Sequence, residues 1–122
     1  MCHKTVVKLL LVNMAINLVS YNSTGVLQES KRCYISQLLS NTAADFPFLQ
    51  ETWLFKSNTM LLSKISNNYM YTAVSGVDCS DSILRGRPYG GVSIMWNKCL
   101  AGKVNIVKTG SKGHDDALFF TI

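Results

Sequence analysis

A chain of 122 residues with a formal net charge of +5, 48% hydrophobic and 16% charged, is too apolar to stay disordered. The length suits one domain rather than two, and 8 Gly, 2 Pro and 4 Cys exclude collagen-like repeats and disulfide-dense miniproteins. The basic balance favours anionic partners without separating nucleic acid from a membrane surface.

At the amino terminus, Lys4 precedes an apolar run through Leu9, Leu10, Leu11 and Val12, but Lys8, Asn13 and Asn17 interrupt it. A membrane-spanning helix needs about 20 nearly unbroken apolar residues, so no membrane partner is expected. Residues 1–15 read as an extension before the domain. A weak signal peptide is the minor alternative, without an Ala-x-Ala cleavage site, and in a secreted chain Asn22-Ser23-Thr24 would be a glycosylation pattern.

Ile16 to Tyr21 is β-branched and apolar enough for a buried strand, and it stops at the turn-forming Asn22-Ser23-Thr24-Gly25. Gln28 to Ser40 places Tyr34, Ile35, Leu38 and Leu39 three and four apart, which predicts an amphipathic helix packing those four residues. Phe46 to Gln50 is a short apolar strand whose Pro47 argues for a strand start or an edge position. Leu54 to Ser66 returns to helical spacing through Leu61, Leu62 and Ile65, with Ser57 or Asn58 as the cap.

From Tyr69 the pattern turns to strand, and Tyr69 to Val74 is β-favouring. A polar loop, Ser75 to Arg87, leads to Gly90-Gly91 and to a strand, Val92 to Trp96, with Val92, Ile94 and Trp96 on one face. Val104 to Val107 predicts a further strand, joined to the previous one by a hairpin connection over Asn97 to Gly102. Gly110 to Asp116 reads as a loop and Leu118 to Ile122 as a last strand.

This order is that of an α/β sandwich. If the first two strands are parallel neighbours joined by the first helix, Asn22 and Glu51 emerge at the same carboxyl edge, where a carboxylate and a carboxamide suit a hard divalent cation and its waters. The cysteines, Cys2, Cys33, Cys79 and Cys99, lack the close ligand pairs of a zinc site. They read as buried apolar residues of a reducing compartment, or as two disulfides if the chain is secreted.

Val19-Ser20-Tyr21-Asn22-Ser23-Thr24-Gly25, Lys31-Arg32-Cys33-Tyr34-Ile35 with Leu38-Leu39, Phe48-Leu49-Gln50-Glu51-Thr52-Trp53-Leu54, Ser75-Gly76-Val77-Asp78, and Leu84 to Trp96 with its Gly90-Gly91 together resemble the endonuclease/exonuclease/phosphatase superfamily. This is the DNase I-like fold, and the resemblance is strongest to the amino-terminal part of non-LTR retrotransposon endonuclease domains. The likeness implies a partial four-layer α/β sandwich, its first half only, with a mixed sheet and helices on one face. It spans residues 16–107, leaving 108–122 as a divergent tail.

The resemblance further implies metal-dependent phosphodiester hydrolysis in the parent family, DNA as partner and an intracellular, including nuclear, location. Glu51 would be the carboxylate ligand of Mg²⁺ or Mn²⁺, and Asn22 the carboxamide orienting the phosphate or a neighbouring group. Gln50 and Thr24 would support them from behind, while Arg87 and Tyr89 would approach the nucleic-acid backbone. Thr24 stands where relatives usually have Asp or Asn. Neither the water-activating Asp-x-Asn nor the terminal Ser-Asp-His of the family occurs in these residues, and His114, before Asp115 and Asp116 in reverse order, reads as surface.

The expected function is therefore that of a truncated relative of retrotransposon endonucleases, inactive by itself and binding its metal weakly if at all. Two alternatives are a non-catalytic nucleic-acid or protein-binding remnant and a secreted, glycosylated, disulfide-bonded domain. With little of a partner sheet in the sequence, one sheet face is expected to expose an apolar patch prone to aggregation or pairing.

Overall fold

The computed structural model describes residues 4–11, 14–78, 85–86, 90–111 and 116–121. Strands β1 (Lys4–Leu11) and β2 (Met14–Asn22), helix α1 (Glu29–Thr42) and strand β3 (Phe46–Gln50) come first, followed by a 3-10 helix, Lys56–Lys64, and β4 (Tyr69–Val74). Next are the short pair β5 (Val77–Asp78) and β6 (Arg85–Gly86), then β7 (Val92–Asn97), a 3-10 turn Lys98–Leu100, and the hairpin β8 (Asn105–Ser111) and β9 (Asp116–Thr121).

Five strands form one mixed sheet in the order β1-β2-β3-β7-β4. Strands β2 and β3 are parallel, with Asn22 opposite Gln50, while β7 runs antiparallel between β3 and β4. Helix α1 is the crossover that a parallel pair requires.

Along each strand, residues alternate between two faces. The first face gathers Val19 and Tyr21, Leu49 and Met95 with Ile35, Leu38 and Leu39 of α1 and Leu62 and Ile65 of the 3-10 region into one buried cluster. Both helices thus cover one face of the sheet, and each fully buried Leu or Ile is worth roughly 1.5–3 kcal/mol. Tyr34 departs from the expected helix stripe: it is 57% exposed, and its ring lies 6.0 Å from that of Tyr21 at the helix flank.

The second face carries Ile16, Phe46, Ile94 and Trp96, all buried, with Leu18 and Phe48 half-buried against them. The expected open apolar face is therefore covered at Ile16, Phe46, Ile94 and Trp96, while Met70 on β4 is exposed. Leu100 and Val104 pack on this face, and the β8–β9 hairpin lies against β4 and β7.

Three further expectations change. Residues 4–11, read as an extension, pair antiparallel with β2 as an edge strand of the sheet. No β7–β8 hairpin forms, because β7 already has β3 on one side and β4 on the other, so β8 pairs with β9 instead. Pro47 meets the strand-start alternative: it is the second residue of the inner strand β3, and pairing with β7 begins one residue later, at Phe48. The segment after Leu54 is 3-10 rather than α, with non-helical backbone at Asn58 and Phe55 in the cap position.

Candidate functional site

The carboxyl ends of β2 and β3 do not fray apart. Beyond the ladder, the Ser23 N–H donates to the Gln50 carbonyl at 2.9 Å, Gly25 N–H to Glu51 at 2.7 Å and Val26 N–H to Thr52 at 3.1 Å. On the other side, Thr52 and Trp53 donate to the carbonyls of Gly91 and Gly90 at 3.3 and 3.0 Å. Residues 51–53 are thus held between the turn after β2 and the glycine pair before β7. The buried Ser23 hydroxyl adds a further tie, 2.8 and 3.0 Å from the Gln50 and Glu51 carbonyl oxygens.

Close approach explains the glycines. A β-carbon at Gly25 would stand 2.4 Å from Cε3 of Trp53, and one at Gly91 would stand 2.6 Å from Oγ1 of Thr52. The backbone is also unusual here, since Thr24, Glu51 and Trp53 adopt φ of 47°, 52° and 58°. Non-glycine residues in this left-handed region cost of order 1 kcal/mol or more each, and they persist where surrounding contacts hold them.

Within this frame the Asn22 side-chain N–H donates to Oε2 of Glu51, while the Asn22 carbonyl oxygen accepts the Thr24 N–H at 3.1 Å. The two residues singled out from the sequence therefore meet at one sheet edge, both half-buried. Because the amide nitrogen faces the carboxylate, Asn22 fixes the Glu51 side chain and one of its oxygens. Thr24 uses its hydroxyl as a link: Oγ1 donates to the Ser23 carbonyl at 2.8 Å and accepts from Nζ of Lys31 at 3.1 Å.

Gln50 acts differently from its expected role beside Glu51. Its side-chain amide pairs with the Ser20 hydroxyl, at 3.0 Å from Nε2 and 3.3 Å from Oε1, and so braces β2. It is the Gln50 backbone carbonyl that serves the site, through Ser23. Arg87, Tyr89 and His114 lie outside the described residues, as do Cys2 and Cys79. Cys33 and Cys99 are exposed free thiols, not the buried apolar cysteines expected.

The donor set at this edge is one carboxylate with a neutral amide beside it, and among the described residues no three metal-ligating side chains come together. One carboxylate fits Mg²⁺ or Mn²⁺ in the manner of a hard ion that keeps most of its waters, and it fits no dehydrated, fully protein-ligated site. Sequence reasoning missed Lys31 and Ser23, because neither belongs to a spacing that announces chemistry. Two clefts lie elsewhere, one along α1 lined by Glu29, Arg32, Ser36 and Lys64, the other around Asp45, Tyr69 and Lys98.

The chain matches no protein-family model and no curated protein. No helix among the described residues is long and apolar enough to cross a membrane.

Proposed function

We propose that this chain corresponds to the amino-terminal half of a DNase I-like, retrotransposon-type endonuclease domain, and that it retains the phosphate-positioning side of a nuclease site without the means to activate water. The observation that carries the reading is the Asn22–Glu51 hydrogen bond at the shared edge of a parallel β-α-β unit. The left-handed backbone at Glu51 supports it, because uncommon conformations held by many contacts concentrate at functional sites.

On this reading Glu51 holds Mg²⁺ or Mn²⁺ through its carboxylate, and the ion, when bound, neutralises phosphate oxygens and the leaving oxygen. Asn22 keeps the carboxylate in one orientation and contributes no charge that would repel a phosphodiester. Thr24 fixes Asn22 through the backbone, and Ser23 locks the two strand ends together. DNA is the partner the reading implies, held mainly through its phosphates.

Hydrolysis also needs a base or an orienting group for the attacking water, and general base help is worth about 10² to 10⁴ in rate. These 122 residues contain no Asp-x-Asn and no Ser-Asp-His. The purified chain, incubated with supercoiled plasmid and Mg²⁺, is expected to leave it intact while retaining DNA at low salt and releasing it as salt rises. Chelator-sensitive nicking that disappears in Glu51→Ala would overturn the claim of inactivity. Absence of DNA retention at every salt concentration would overturn the nucleic-acid reading.

A further inference from the structure

We infer that Lys31 is the phosphate-binding cation of this edge, an inference that rests on the nucleic-acid reading above and names a residue for its anionic ligand. The first turn of α1 presents two adjacent cations, and their surroundings assign them different tasks. Nη1 of Arg32 donates to the carbonyls of Val26 and Leu27 at 2.9 and 2.6 Å, which pins the loop that leads into the helix. Lys31 instead reaches back over that loop to Oγ1 of Thr24 at 3.1 Å.

That contact connects the lysine to the candidate site through neutral groups. Lys31 donates to Thr24, the Thr24 N–H donates to Asn22, and Asn22 donates to Glu51. A positive and a negative side chain therefore flank one edge, joined through Thr24 and Asn22 rather than to each other. For a phosphodiester this arrangement is apt. Glu51 alone repels the anion, whereas a lysine beside it supplies a compact point charge of the kind that binds phosphate.

An ammonium has three donors, and the hydroxyl of Thr24, whose own proton goes to the Ser23 carbonyl, occupies one of them. The others are left for a phosphate oxygen. The left-handed backbone of Thr24 aims its hydroxyl at the lysine, so a residue that departs from the family pattern at this position acquires a role of its own. It holds a cation in place.

The test compares the wild-type chain with Lys31→Met, and with Lys64→Met as a control that removes one exposed positive charge elsewhere, in titrations with a short DNA duplex at several salt concentrations in the presence of Mg²⁺. Lys31→Met should weaken duplex binding about 5-fold or more and lower the salt slope by about 1, with Lys64→Met changing affinity by less than about 2-fold. Inorganic phosphate added to the wild-type chain should shift the Lys31 side-chain ¹⁵Nζ resonance, a readout independent of how any variant folds. Wild-type duplex binding with Lys31→Met matching Lys64→Met, or phosphate that leaves the Lys31 resonance unmoved, would overturn the assignment while leaving the DNA reading intact. A wild-type chain that binds neither duplex nor phosphate would overturn both.

Discussion

The two ends of the β2–β3 pair solve the same problem in opposite ways. At the starting end, Asp45 turns the chain from α1 into β3: its carboxylate accepts the Asn17 N–H at 2.8 Å, its N–H donates to the Asn17 carbonyl at 2.9 Å, and its carbonyl accepts the Asn97 N–H at 3.0 Å. Asn17 also donates its side-chain amide to Ala43, and Tyr69 donates its hydroxyl to Ala44. Burial first, then the neighbouring Asp45 carboxylate and Cys99, push the Tyr69 phenol above its ordinary pKa, which keeps it a hydrogen-bond donor. The left-handed residue at this end is Ala43, closing the helix.

At the finishing end, the backbone pairing is equally complete, yet Thr24, Glu51 and Trp53 are all left-handed. The contrast is one of backbone conformation. One end closes the fold with polar side chains and a single left-handed residue, Ala43; the other holds three left-handed residues around the Glu51 carboxylate and the Thr24 link to Lys31. Three uncommon backbone conformations held by many contacts are the reason to look for a site at this end.

The largest effect should come from breaking the strained end. Gly25→Ala puts a β-carbon into the Trp53 ring at a positive φ, and the clash and the backbone strain together should cost about 3 kcal/mol in urea unfolding. A loss below about 1 kcal/mol would mean that Trp53 moves aside and that the edge is looser than its contacts indicate. At the starting end, Asp45→Ala should cost about 1–2 kcal/mol, since it leaves the Asn17 N–H without its acceptor. That loss should come without any change in DNA retention, and a parallel drop in retention would show that the two ends are coupled.

The sheet and its edge were legible in the sequence to different degrees. The helix spacing of Ile35, Leu38 and Leu39 and the run Phe46 to Gln50 announced a β-α-β unit, and that unit alone brings Asn22 to Glu51. The position of β7 between β3 and β4 was not legible, because strand order is decided by long-range pairing and no local pattern encodes it. The same insertion removed the expected β7–β8 hairpin. Lys8 interrupts the apolar run and so hid β1, whose place at the sheet edge tolerates a polar interruption. Lys31 escaped notice because its partner, Thr24, lies seven residues away across a loop whose left-handed turn has no sequence signature at a threonine.

The smallest effect separates stability from function at one residue. Glu51→Gly relieves a non-glycine φ of 52° while removing the bond from Asn22, so stability should stay level or rise by up to about 1 kcal/mol even as the site is lost. A loss greater than about 1 kcal/mol in the same unfolding assay would make Glu51 a structural residue, held by its bond to Asn22.

The central claim, that Glu51 and Asn22 form a divalent-ion site at this edge, is tested most directly by adding Mn²⁺ in small steps to ¹⁵N-labelled protein and following paramagnetic broadening residue by residue. The wild-type chain should lose the amide signals of Asn22, Thr24 and Thr52 first, and Glu51→Gln should abolish that selectivity while leaving the rest of the spectrum in place. Broadening that begins at another cluster, or that is identical in Glu51→Gln, would contradict the account.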